Sequence, residues 1–357
     1  VPNERVSKLR TLVQELGGDA ILITNEINRR YLTGFTGSSG VVLISAEQAV
    51  LLTDFRYREQ APRQAKGFEI VEHGPGIYGD VAALLSKWGV KRLLIEEQDM
   101  SYATFLSVQE KLDPIELVLS QGAVEKLRVV KDEQEIAVVQ EAADLADRAF
   151  EHILGFIKPG VTEASVSLEL EFFMRKEGAS GVSFETIVAS GERSSLPHGK
   201  ASDKLIERGD FVTLDFGASY KGYVSDITRT VVVGRPTDRH REIYDIVLES
   251  QLNALKHLRP GMTGHEGDAL TRDIITRYGY GEYFGHSTGH GIGMEVHEAP
   301  RLARNSDTIL TPGMIITVEP GIYLPGFGGV RIEDDVVVTD DGIKILTRSP
   351  KELIVLD

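Results

Sequence analysis

The sequence predicts an α+β protein in two parts, an α/β domain at residues 1–121 and a duplicated domain at 122–357. Three observations predict it. Strand-like and helix-like runs alternate through residues 1–120. The second part repeats itself, with a period near 101 residues. Within it, residues 210–228, GDFVTLDFGASYKGYVSDI, read as a hairpin that carries an aspartate in each arm.

Composition narrows the function classes. A chain of 357 residues, 41% hydrophobic, suits two domains with sizeable cores. Its 54 acidic against 39 basic residues give a net charge of −15, which repels nucleic acid and anionic membranes. The absence of cysteine excludes disulfides and thiolate metal sites. Val1-Pro2-Asn3-Glu4-Arg5 lacks the apolar core of a signal peptide, and no apolar run is long enough to span a bilayer. The expected setting is the cytoplasm.

In the first part, a helix at 4–16 stops at Gly17-Gly18. A strand follows at 20–24, then a strand pair at 40–45 and 49–53, and a charged helix near 56–65. Strands at 68–72, 92–96 and 115–119 alternate with helices at 79–88 and 102–112, which implies a mixed sheet. The polar, glycine-rich stretch 25–40 reads as a loop, either a plain connection or one that reaches the site of another subunit or domain. Neither GxGxxG opening a helix nor GxxxxGK[ST] is present, so the phosphate-loop fingerprints are missing. Residues 120–131 read as a linker. A long helix then begins at Lys131 or Asp132, where Asp132 and Glu135 fit a capping box. Its apolar stripe runs through Ile136, Val139, Ala143, Ala146, Phe150, Ile153 and Leu154.

The repeat carries the argument further. Ile157-Lys-Pro-Gly-Val-Thr162 recurs as Leu258-Arg-Pro-Gly-Met-Thr263, each between two helices, and the second helices end at Gly178 and Gly279. Gly209-Asp-Phe-Val-Thr-Leu-Asp-Phe-Gly217 resembles Gly313-Met-Ile-Ile-Thr-Val-Glu-Pro-Gly321, so Asp215 corresponds to Glu319 and Asp226 falls near Glu333. If the hairpin turn is centred between Tyr220 and Lys221, facing residues have numbers that total 441, and Asp215 faces Asp226. Such a pair lies roughly 4.5–5.5 Å apart. At an effective dielectric of ~20, like charges ~4 Å apart repel by about 4 kcal/mol. Either the register slips and the two point apart, or a proton or a cation separates them. Four carboxylates brought together by a pseudo-two-fold axis would need two divalent cations for neutrality.

Three of the nine histidines lie in His286-Ser-Thr-Gly-His290-Gly-Ile-Gly-Met-Glu-Val-His297. The HxxxH spacing suits two ligands on a helix, but Gly285, Gly289, Gly291 and Gly293 favour a loop or strand with close backbone approach. One histidine is then a ligand and the others act on substrate. His198, in Leu196-Pro-His-Gly199, lies in the first half near the position equivalent to His297. Oxygen-rich ligation with one imidazole favours hard divalent ions, and paired ions point to hydrolysis.

Asp215, Asp226, His290, Glu319 and Glu333, in that order, resemble the five metal ligands of the "pita-bread" metallopeptidases. That group includes methionine aminopeptidase, aminopeptidase P and prolidase, with the metal-free relative creatinase. The motifs His286-x-x-Gly289-His290-x-Ile292-Gly293, Glu319-Pro-Gly-Ile-Tyr323 and Val330-Arg-Ile-Glu333 carry the resemblance in the second part. Tyr31-Leu-Thr-Gly-Phe-Thr-Gly37 carries it in the first, which is similar to the N-terminal domain of prolidase, aminopeptidase P and creatinase.

The resemblance implies a pita-bread domain at 122–357 behind a creatinase-type domain at 1–121. It implies two divalent ions, Mn²⁺ foremost and Co²⁺ or Zn²⁺ as alternatives. Asp215 would chelate one ion, Asp226 and Glu333 would bridge both, and His290 and Glu319 would hold the other. Glu319 would also move protons, His198, His286 and His297 would position substrate and stabilise the oxyanion, and Tyr223, Tyr323 and Arg331 would lie near the pocket. Arg331 could equally be an orienting salt bridge. The implied activity is cleavage of Xaa-Pro bonds in short proline-containing peptides by a homodimer, as a dipeptidase (prolidase) or, on longer peptides, an aminopeptidase P. Competing readings are a metal-independent creatinase-like hydrolase, which would survive chelation, and a non-catalytic binding relative, which would hold no metal.

Overall fold

The computed structural model describes residues 4–357. The chain divides into two compact units, Val1–Arg128 and Val129–Asp357.

The first unit is built on a six-stranded sheet, in the order Glu69–Glu72, Ala49–Thr53, Val41–Ser45, Ala20–Ile23, Arg92–Ile95, Glu116–Leu119. Val41–Ser45 runs antiparallel to both neighbours and the other pairings are parallel, so the sheet is mixed as expected. The central strands are apolar on both faces, as a doubly covered sheet requires. Three local expectations change. The stretch read as a loop contains the helix Glu26–Thr33, capped by the Asn25 side chain and closed by Gly34 at φ 74°. The buried Glu96 carboxylate accepts the N–H groups of Thr24 and Asn25 at the start of this helix, at 2.6 and 2.8 Å. Burial nonetheless pushes that carboxyl up to about 7. The helix expected near 56–65 is a turn at Phe55–Tyr57 and a short helix at Gln60–Gln64. Pro62 lacks the N–H that a continuous helix would donate to residue 58. The expected linker holds the helix Ala123–Arg128, which carries the first unit past residue 121 to Arg128.

In the second unit the helix Glu133–Leu154 starts at the expected capping box. The duplication is visible residue by residue. Gly160 and Gly261 both take φ 88°, where only glycine is unstrained. Thr162 and Thr263 cap the helices Glu163–Lys176 and Gly264–Arg277, and Gly178 and Gly279 follow at φ 108° and 87°. Each half contributes a central antiparallel trio: Ile187–Ser190, Phe211–Phe216 and Ile227–Val233 in the first, Gly289–Gly291, Ile315–Val318 and Asp334–Val338 in the second. Phe150, Leu170, Leu214 and Val231 pack the first half's helices onto its sheet, and Ala254, Leu302, Ile316 and Val336 do the same in the second.

The hairpin has a different register from the expected one. Lys221 at φ 49° and Gly222 at φ 89° form the two-residue turn, the left-handed pair that suits strand twist. Tyr220 pairs with Tyr223 and Asp215 with Thr228, so paired numbers total 443 and not 441. The shift is even, so it leaves Asp215 and Asp226 on one face as diagonal neighbours. Across the pseudo-axis, Glu333 donates its N–H to the Thr228 carbonyl at 3.1 Å. Asp215 pairs with Thr228, and one step beyond the Val318–Asp334 pair Glu319 faces Glu333, so Glu333 is the counterpart of Thr228, not of Asp226.

Candidate metal centre

Each acidic side chain reaches the centre from the end of a buried strand. Asp215 lies near the end of Phe211–Phe216, and Asp226 just precedes Ile227–Val233. Glu319 follows Ile315–Val318, and Glu333 precedes Asp334–Val338. The ladder pairs Val318 with Asp334, and one further step of that register sets Glu319 opposite Glu333. His290 is the middle residue of Gly289–Gly291. Its N–H donates to Thr317 Oγ1 at 3.1 Å, and Thr317 Oγ1 donates to Glu319 Oε1 at 3.1 Å.

Ligand atoms of Asp226, His290 and Glu333 all lie within 4.8 Å of one another. His290 Nε2 is 3.3 Å from Glu319 Oε1 and 3.7 Å from Asp226 Oδ2. The other ring nitrogen, Nδ1, is 3.0 Å from the Gly291 carbonyl and donates to it, which leaves Nε2 as the free lone pair. Glu333 accepts from Thr228 Oγ1 at 2.6 Å, and Asp215 accepts from Arg331 Nη2 at 2.5 Å. All five side chains line one cavity of about 350 Å³, in the range of small-molecule sites.

Neutrality in this cluster comes from protons or from cations. Burial, then Glu333 and Asp215, hold the Asp226 carboxyl well above its usual range. Burial, then Glu319 and Asp215, do the same to Glu333. Glu319 is pushed up to about 8, chiefly by burial. His290 is pushed down to about 4 by burial, so it is a neutral donor at pH 7. Oδ1 of Asp215 and Oδ1 of Asp226 are buried without a hydrogen-bond partner. Unsatisfied buried carboxylate oxygens beside a neutral imidazole form a donor set for hard divalent ions. Asp215, Asp226, His290, Glu319 and Glu333 are the residues that would hold them.

Metal uptake therefore displaces protons. Glu319 carries a raised value, so below about 8 it binds a proton that a cation must expel. Titration of chelated protein with Mn²⁺ at pH 7 in weak buffer is expected to acidify the solution. Proton release per ion should fall as the pH is raised past the Glu319 value. A pH-independent release would contradict the assignment of Glu319 as a ligand.

The outer residues divide. His198, His286, His297 and Arg331 line the cavity. The His297 ring packs edge-on against His290, centroids 4.4 Å apart. His286 Nδ1 faces the Ser287 carbonyl at 2.8 Å, and Nε2 faces the Tyr323 hydroxyl at 2.7 Å. Arg331 Nη1 donates to the same hydroxyl at 2.8 Å. Arg331 thus links Asp215 to Tyr323 and His286 while also lining the cavity. Tyr323 sits behind this chain and is not on the cavity wall. Tyr223 is not on it either. Its hydroxyl donates to Glu135 at 2.7 Å, and its ring packs with Val139 and Ile292. The turn register points it at the long helix, where Glu135 and Val139 meet it.

Sequence reasoning missed Arg301. This exposed residue lines the cavity, and the ladder pairs it with His290, just before a β-bulge between His290 and Gly291. Among the described residues no carboxylate pairs with its guanidinium. Its charge is felt at His290, His297 and Glu319. No signal near position 301 announces this, because the pairing joins residues far apart in sequence.

Comparison with known proteins places the chain. Residues 137–340 match the description "Metallopeptidase family M24", and residues 5–130 match "Creatinase/Prolidase N-terminal domain". The chain belongs to metallopeptidase family M24. This M24 peptidase is 41% identical to the Xaa-Pro dipeptidase of Pyrococcus horikoshii, over 99% of both chains. A solved Xaa-Pro dipeptidase from Bacillus anthracis is 59% identical, with a TM-score of 0.98 over 99% of both chains. An X-Pro aminopeptidase from Thermotoga maritima is 43% identical, with a TM-score of 0.92 over 97% of this chain and 99% of the other. The pita-bread domain and the creatinase-type domain expected from the motifs are therefore both present. No helix among the described residues is long and apolar enough to cross a membrane.

Proposed function

We propose that this M24 peptidase is an Xaa-Pro dipeptidase, hydrolysing the peptide bond before proline in dipeptides. The observation that carries the reading is the unpaired Arg301 in the cavity that holds the acidic cluster. A dipeptide ends in a carboxylate one residue beyond the cut bond, and a free guanidinium there suits that charge. A longer peptide offers a neutral amide at the same place. The relatives named Xaa-Pro dipeptidase support the reading, and the one named X-Pro aminopeptidase supports the alternative of cleavage from longer peptides.

Bound divalent ions would activate water and polarise the scissile carbonyl. The chain's own residues do the rest. Glu319, rid of its own proton once a cation is held beside it, would accept the proton of the attacking water and return it to the departing proline nitrogen. A tertiary amide nitrogen needs that proton to leave. His297 is held neutral by burial, then by Arg301, and offers an N–H to the developing oxyanion. His286 has both ring nitrogens engaged, so it orders Tyr323 and Arg331 behind Asp215. The proposal includes two ions per chain, with Mn²⁺ as the native metal, and a homodimer. Metal analysis and light scattering test these.

The activity test compares Gly-Pro, its C-terminal amide and Gly-Pro-Pro. Gly-Pro is expected to be the best substrate. Arg301→Met should lower kcat/KM for Gly-Pro by about 10-fold or more, mainly through KM, while leaving the amide unaffected. Equal or better turnover of the tripeptide, with no loss in Arg301→Met, would favour the aminopeptidase reading.

A further inference from the structure

Helix Gly264–Arg277 carries a buried ion pair that touches neither the cavity nor the expected ligands directly. Asp268 is 1% exposed and Arg272 8%. Arg272 Nε donates to Asp268 Oδ2 at 2.6 Å, and Nη2 donates to Oδ1 at 2.8 Å. Two of the remaining guanidinium hydrogens leave the helix. Nη1 donates to the Phe284 carbonyl at 2.9 Å and Nη2 to the His286 carbonyl at 2.7 Å. The guanidinium carbon also lies 4.2 Å from the centre of the Phe284 ring, and that ring stands edge-on to His286 with centroids 5.1 Å apart.

Asp268 holds the other end of the same segment. Its Oδ1 accepts the N–H of Thr288 at 3.0 Å and the Thr288 hydroxyl at 2.8 Å. The Thr288 carbonyl in turn accepts the N–H of Glu319 at 2.8 Å. One fork thus clamps residues 284–288 at both ends, with His286 between the clamps and Glu319 one hydrogen bond beyond. A buried ion pair of this kind brings little net stability, because desolvation offsets its attraction. Its directional donors restrict geometry instead.

The first half has a matching device. Glu163, at the start of the repeated helix Glu163–Lys176, accepts from Ser190, Arg193 and Ser202. Arg193 donates onward to the Lys200 carbonyl at 2.6 Å. His198 lies on the loop so held. Both repeated helices therefore anchor a segment that bears a cavity histidine, although the acid–Arg pair is built from different positions in each.

We propose that Asp268 and Arg272 are positioning residues for peptide hydrolysis, acting through His286 and Glu319. The proposal rests on the reading above that these two groups serve the reaction. Arg272→Lys keeps the charge and loses the fork. It should lower kcat on Gly-Pro by about 10-fold, with KM and bound metal near the wild-type values, as a small misplacement of a reacting group does. In a His286→Ala background the same change should cost less than about 2-fold, because residues in one chain are not additive. A purely structural role predicts a lowered melting midpoint, with kcat per bound metal either unchanged or lowered equally in both backgrounds. Any of these patterns in kcat would overturn the proposal.

If Arg272→Lys does not fold, Phe284→Leu removes the ring between Arg272 and His286 and should show the same coupling. A crystal structure of either variant gives a readout that needs no turnover. His286 Nε2, now 2.7 Å from the Tyr323 hydroxyl, should move beyond hydrogen-bond reach, about 3.5 Å. An unmoved His286 defeats the proposal, whereas a wild-type chain that leaves Gly-Pro intact defeats the functional reading and not the clamp.

Discussion

Glu333→Gln is expected to reduce turnover on the order of 10³-fold and to leave the purified chain short of metal. The substitution keeps shape and keeps an acceptor for Thr228 Oγ1, now 2.6 Å away. What it removes is a carboxyl able to give up its proton and become an anionic donor, in a buried group of acids whose charge Arg331 offsets only in part. The fold should survive, since burial already disfavours the Glu333 charge and the amide bears none. Asp226→Asn should behave likewise. Its backbone N–H bond to Asp335 at 2.8 Å does not depend on its side chain. His297→Ala is the contrast. It should cost roughly 10²-fold in kcat, as loss of an oxyanion donor does, with metal content unchanged. Metal analysis beside melting midpoints separates the cases. A Glu333→Gln protein with full metal, or a His297→Ala protein without it, would reverse the division between ligands and outer histidines.

Gly289→Ala is expected to destabilise the second unit by about 2–3 kcal/mol and to displace His290. A Cβ at this position would lie 1.9 Å from the Thr317 carbonyl oxygen and 2.7 Å from its carbon. Neither is the tip of a flexible side chain, so Gly289–Gly291 must move off Ile315–Val318. That movement breaks the bond from the His290 N–H to Thr317 Oγ1, which also orients Glu319. Lower metal occupancy should accompany the lower midpoint. Gly285, four residues earlier in the same glycine-rich motif, has nothing within 4 Å of a built Cβ. Gly285→Ala should change stability by less than about 0.5 kcal/mol. Equal effects at the two positions would mean that the motif's glycines serve local flexibility, not close approach.

These two cases show where sequence reading succeeds. Glycine spacing around His290 argues against a helix, and His290 indeed lies in a strand pressed against its neighbour. The repeat was legible because a Pro-Gly turn with a Thr cap is a local device, and it has the same backbone in both halves. The helix Glu26–Thr33 escaped notice although Asn25 and Gly34 mark its ends, because eight residues beside several glycines give little periodicity.

Residue types, strand ends and caps were determined by the sequence alone: five donor side chains, an acidic excess calling for a cation, and a duplicated frame to carry them. The tertiary structure decided which atoms meet. It set Asp215 diagonal to Asp226, paired Arg301 with His290, sent Tyr223 to Glu135 and made Arg331 the support of Asp215. The physical reason is that side-chain chemistry and periodicity are local, whereas pairing register depends on turn geometry, bulges and packing from far along the chain.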